Sequence, residues 1–195
     1  MQFYRLILAL FSMVAAVAYA DMPPGFHVVG SNRNGTVITR IEKAPFDSEP
    51  SAKETHPKIQ LYRLSENHEA YVLFRTIEHV ADSEPNLVIV TSHAEFVVAF
   101  DSSGEIGRGD SVVVVYSGDG KFLKRWSLAQ ILNQVDLASA PKSVSSTWWR
   151  NDVRIVSDIP PQVLVSGPKQ RILNETAVGY RYLLDLKTLV WRKVK

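Results

Sequence analysis

Short apolar runs separated by turn-forming residues dominate the chain, and in one place their period changes. The stretch "GDSVVVVYSGDGKFLKRWSLAQIL" (109–132) shows this best. Four consecutive valines restrict χ1 too strongly to favour a helix but sit well on a pleated sheet. The pattern predicts a strand over 111–117, a Gly118-Asp119-Gly120 turn and a return strand over 121–126. Ser127 then has N-cap character, with Gln130 at capping-box spacing. Leu128, Ile131, Leu132 and Val135 recur at helical intervals, predicting one amphipathic helix of about two turns.

Elsewhere the period is that of strands. Runs at 25–30 and 36–42 flank Asn34-Gly35, a strong hairpin signal. The segment 44–58, with three prolines, reads as a loop, and strands follow at 58–64 and 70–77. The runs 86–92 and 95–101, linked by His93-Ala94, are apolar at successive positions, as expected of strands covered on both faces. After a glycine-rich connection at 102–109 come the 111–126 hairpin and helix, then strands at 147–157, 161–167, 178–186 and 189–195. The expected class is all-β: antiparallel, blade-like sheets, as a partial propeller or a sandwich, with one short helix. An apolar strand, turn and second strand return about every 35 to 45 residues, close to propeller-blade spacing, without a blade motif.

The first twenty residues depart from this pattern. Arg5 is their only charge, Leu6–Ala20 is apolar except for Ser12, and Ala18-Tyr19-Ala20 has the small-x-small form of a cleavage site. About 15 apolar residues fall short of the roughly 20 that span a bilayer, so a cleaved secretory signal is expected rather than a retained anchor. That leaves 21–195 as one β-rich domain, periplasmic or secreted, with no later apolar run long enough to cross a membrane. Without Arg5, 21 basic side chains face 20 acidic ones, too even a balance for a nucleic-acid partner. The chain has no cysteine, which excludes disulfides, thiolate nucleophiles and cysteine metal sites.

Candidate chemistry is sparse. The five histidines, His27, His56, His68, His79 and His93, have no metal-ligand spacing, and no G-x-S-x-G marks a serine nucleophile. No cofactor is called for. Asn34 and Asn174 head glycosylation-type triplets, and Arg108-Gly109-Asp110 spells an adhesion tripeptide; chance explains both. Asp101, Glu105, Asp110 and Asp119 cluster around the central hairpins, where paired carboxylates can serve glycoside hydrolysis or clustered oxygens can hold calcium. An acidic hairpin connector is the simpler account. Trp148-Trp149-Arg150, read as part of a strand, places the two indoles on opposite faces. An outward indole beside an arginine can stack on a sugar. Burial of both, with Arg150 reaching to water, is the favoured reading. The candidate ligand-binding set is therefore Asp101, Arg108, Asp110, Trp148, Trp149 and Arg150.

Segment 95–157 also resembles a group of uncharacterised bacterial exported proteins with propeller-like strand patterns. The likeness rests on Phe100-Asp101, Gly107 and Gly109, Val112–Tyr116, Asp119-Gly120, Leu128–Leu132 and Ser143–Trp149. It implies an architecture and carries no activity. The expected role is a non-enzymatic binding or structural module of the cell envelope, with a protein or glycan as partner. The alternatives are an envelope carbohydrate hydrolase using the central carboxylates, or a carbohydrate-binding module built on Trp148 or Trp149.

Overall fold

The computed structural model describes residues 26–42, 56–102, 105–168, 170–172, 175–177 and 179–194. The expected signal segment, most of the 44–58 loop and Asn174 lie outside the described residues.

The protein is all-β, built from three four-stranded antiparallel sheets. The first comprises β1 (Phe26–Ser31), β2 (Val37–Glu42), β3 (Lys58–Leu64) and β4 (Tyr71–Glu78) in chain order. The central sheet comprises β5 (Pro85–Val90), β6 (Phe96–Ser102), β7 (Val113–Ser117) and β8 (Phe122–Trp126), again in chain order. The third pairs β9 (Asp152–Asp158), β10 (Pro161–Ser166), β13 (Arg181–Asp185) and β14 (Val190–Val194). A separate hairpin, β11 (Gln170–Ile172) with β12 (Glu175–Ala177), is inserted between β10 and β13. That hairpin was not expected from the apolar pattern, because Gln170-Arg171 and Glu175-Thr176 carry no strand-like alternation.

Burial follows the hydrophobic pattern. Along β2 buried and half-buried residues alternate strictly, the mark of a sheet with one face in the core. Both β6 and β7 are buried at successive positions, so the central sheet is covered on both sides. Val97, Ala99, Val114 and Tyr116 pack with Val37, Ile41, Ile59, Leu61 and Ile77 of the first sheet. Val98, Phe100, Val113 and Val115 point the other way, against Val163, Val165, Tyr182 and Leu184 of the third sheet. Burying each such aliphatic chain contributes about 1.5–3 kcal/mol, which makes this double seam the main source of stability. Gly30 lets β1 pass close to β5, since a Cβ there would lie 2.1 Å from the Val88 carbonyl oxygen.

Four expectations are corrected. The recurring unit is a whole sheet beginning at Phe26, Pro85 and Asp152, longer than the expected strand-turn-strand spacing. The single helix is instead two short ones, α1 (Leu128–Ile131) and α2 (Gln134–Ser139). Leu132 is extended (φ −92°, ψ 142°) and Asn133 caps the second helix through Asp136 N, so Leu132 is buried in the core while Val135 faces water. The run 147–157 is a strand only from Asp152. Before it, Thr147 N bonds Ile106 O and Trp148 N bonds Pro141 O, so the backbone there pairs with loops rather than a sheet. Trp149 is fully buried but Trp148 is 49% exposed, against the expectation that both enter the core.

Candidate ligand-binding site

The β6–β7 connection leaves the central sheet at Asp101, a residue with φ +51° that is 3% exposed. A carboxylate buried this deeply is costly unless its oxygens are filled. They are: Oδ1 accepts from Gly107 N and Trp149 Nε1, each at 2.8 Å, and Oδ2 accepts from Arg150 Nε at 2.5 Å. The Arg150 guanidinium also lies 5.9 Å from the centre of the Phe100 ring. Tyr180, just before β13, adds an anchor by donating to Trp149 O at 2.8 Å.

This node zips the 105–110 loop to the 142–150 segment. Gly107 takes φ +69°, and a Cβ there would lie 2.5 Å from the Thr147 carbonyl oxygen, so only glycine permits the close approach. Arg108 reaches across and donates from Nη2 to Ser143 O (3.3 Å) and Val144 O (2.5 Å). Over the other side of the loop opens a polar pocket of about 470 Å³, lined by Asp82, Ser83, Glu105, Arg108, Asp110 and Arg125 among others. Asp110 is held by Arg125 Nη2 at 2.9 Å and accepts from Ser111 Oγ at 2.9 Å.

The six candidate residues thus separate. Arg108 and Asp110 line the pocket. Asp101, Trp149 and Arg150 form the buried node beneath the loop. Trp148 stands half-exposed on the zipped segment. Of the other candidate acids, Glu105 joins the pocket, whereas Asp119 belongs to the β7–β8 turn. A hydrogen bond from Ser117, aided by the Lys121 backbone, holds the Asp119 carboxyl below its usual range. His79 is buried; Tyr116 Oη accepts from Val80 N and lies 2.7 Å from His79 Nδ1. Burial, with a smaller contribution from His56, pushes His79 down to about 4. Among the described residues no group of three histidines or carboxylates is placed to hold a metal ion.

Sequence reasoning missed Asp82 and Arg125 as pocket residues, because neither lies in the 101–110 connection they face. It also missed Asp136, whose carboxylate accepts from Tyr182 Oη at 2.7 Å and Lys193 Nζ at 2.8 Å. Burial opposes ionisation there, but the ammonium and hydroxyl outweigh it and hold the Asp136 carboxyl below its usual range. A third unforeseen link joins all three sheets: Asn32 Nδ2 donates to Ser92 O, and Ser92 N and Oγ donate to Asp158.

No protein-family model, curated protein or solved structure matches the chain.

Proposed function

We propose that the protein is an exported, non-enzymatic binding module of the cell envelope whose ligand is a hydroxyl-rich glycan held in the pocket beside the 105–110 loop. The observation that carries this reading is the exposed Asp110–Arg125 pair on a polar pocket whose 105–110 loop is anchored by buried Asp101 through Gly107 N. Carboxylate and guanidinium groups held in fixed positions match the donors and acceptors of neighbouring sugar hydroxyls. The half-exposed Trp148, on the segment that the loop is zipped to, offers an apolar ring face of the kind pyranose rings stack on. The blade-like reading of the fold is supported by three successive four-stranded antiparallel sheets. Export is supported by the leader-like first twenty residues.

Binding is favoured over hydrolysis by the state of the carboxyls. A glycosidase needs one acid whose proton is retained near neutrality. At the pocket, Asp110 is already engaged by Arg125 and Ser111. Asp101, the most deeply placed candidate, already has both oxygens occupied.

Calorimetric titration of the purified chain with soluble oligosaccharides of glucose, N-acetylglucosamine and uronic acids tests the proposal. Saturable binding to one class, weakened about tenfold or more by Arg125→Ala, is expected. Absence of binding to every class overturns it. So does release of reducing ends that is abolished by Glu105→Gln, which makes the protein a hydrolase.

A further inference from the structure

A second cavity, of about 500 Å³, lies where the leading strands of the sheets approach one another. It shares no lining residue with the pocket beside the 105–110 loop. Four successive residues of β9, Val153–Val156, line it, with Ile89 of β5 and Arg33 of the β1–β2 turn. Neighbouring side chains on a strand point to opposite faces. A cavity that touches all four therefore lies along the backbone edge of β9 rather than over one face. Among the described strands β10 alone pairs with β9, so the other edge presents alternate N–H and C=O groups to this space.

Natural sheets blunt such edges with lysine, proline, bulges or covering loops. Strand β9 contains neither proline nor lysine. It has one bulge, where Ser157 and Ile155 face Gln162 and Val163, and this leaves Val156 unpaired and 41% exposed at the cavity. The two charged side chains lining the cavity, Arg33 and Arg154, are both positive. Arg154 is tied only loosely, 3.7 Å from Asp152, with side chains 62% and 49% exposed. A pair of that kind holds its guanidinium weakly and leaves it available.

We propose that the open edge of β9 is a docking site for an extended acidic peptide of a partner protein, which adds as a fifth strand to the third sheet with a carboxylate held by Arg33 and Arg154. In strand addition, main-chain hydrogen bonds supply affinity and side-chain contacts supply specificity. Here the edge provides the first, and the paired arginines with the Ile89 wall provide the second. A small anion can engage the guanidiniums but leaves the strand edge unused. The site is independent of the glycan pocket, and its failure leaves that reading intact.

The test is anisotropy titration of the full chain with a labelled, end-blocked hexapeptide alternating valine and glutamate. Its lysine counterpart, versions N-methylated on either alternate set of residues, and free acetate serve as comparisons. Saturable binding at least about tenfold tighter than the lysine peptide is expected. Arg154→Glu and Arg33→Glu each weaken it about fivefold or more, N-methylation of one set weakens it at least about tenfold, and amide exchange slows at Val153–Val156. Both arginines are exposed, so the variants are expected to fold, and the peptide comparisons decide the matter without them. No binding, or binding untouched by both charge reversals, overturns the proposal. So does equal binding of both N-methylated peptides or full competition by acetate, which reduces the site to one for small anions. Concentration-dependent protection of β9 without peptide assigns the edge to a second copy of the chain instead.

Discussion

The two faces of the central sheet are built from different materials, and the difference explains where the molecule has sites. Toward the first sheet the seam is aliphatic: valine, isoleucine, leucine and alanine, with Tyr116 fully buried among them. Toward the third sheet it is richer in aromatics, with Phe100, Trp126, Trp149 and Tyr182 buried among aliphatic side chains and Trp191 packed against them. Where the first and central sheets come closest, Gly30 puts no side chain at all against the Val88 carbonyl. Large rings cannot interdigitate so finely, and their N–H and O–H groups need partners. Asp101 meets that need for Trp149 and Asp136 for Tyr182, each carboxylate neutralised by a cation, whereas Trp191 Nε1 is buried without a hydrogen-bond partner among the described residues. The aliphatic seam supplies stability with little chemistry; the aromatic seam builds the framework that carries the loops.

The largest effect that breaks this contrast is on the aromatic side. Asp101→Ala strands Trp149 Nε1, Gly107 N and the Arg150 charge, and is expected to cost about 3–5 kcal/mol in urea denaturation. Combined with Trp149→Ala, it is expected to cost clearly less than the sum of the two single changes, because they share one network. On the aliphatic side, Gly30→Ala forces a Cβ against Val88 O and is expected to cost about 1–3 kcal/mol by the same measurement.

The two seams also separate by pH. His79 ionises at about 4 when folded and about 6.5 when unfolded, so below the upper value the unfolded chain takes up a proton that the native chain refuses. Stability from a neutral His79 is whole above about 6.5 and is lost as pH falls toward about 4, a difference of about 3 kcal/mol. Asp136 is held low, so its contribution is whole above the usual carboxyl range and is lost only as pH falls through its lower folded value. Denaturation of the wild type against His79→Gln between pH 7 and 4 isolates the aliphatic seam, and a matching slope in both chains contradicts the assignment. The smallest effect is at the surface: Trp148→Ala is expected to change stability by under about 0.5 kcal/mol while weakening glycan binding.

The central sheet was legible in the sequence because strands covered on both faces need apolar residues at every position, and Val97–Phe100 and Val112–Tyr116 have them. Strands Lys58–Leu64 and Pro161–Ser166 were equally plain. The Trp148-Trp149 segment was not, because β-rich composition there is overridden by backbone bonds from Thr147 to distant Ile106 and from Trp148 to nearby Pro141. The helix was misread at Leu132, where the apolar residue that continues the pattern instead ends the turn and enters the core. Of the site, the 101–110 loop stood out through its glycines and acids. Its partners Asp82 and Arg125, like the Tyr180 hydroxyl on the Trp149 carbonyl, are long-range neighbours that no local pattern marks.

The sandwiching of β5–β8 between two unlike neighbours is the claim on which the rest depends, and native-state amide hydrogen exchange tests it residue by residue. The slowest amides are expected at Val97–Phe100 and Val113–Tyr116, exchanging only through global unfolding, with faster exchange in β4 and β14 at the outer edges. Protection in β6 and β7 no greater than in those two edge strands contradicts it.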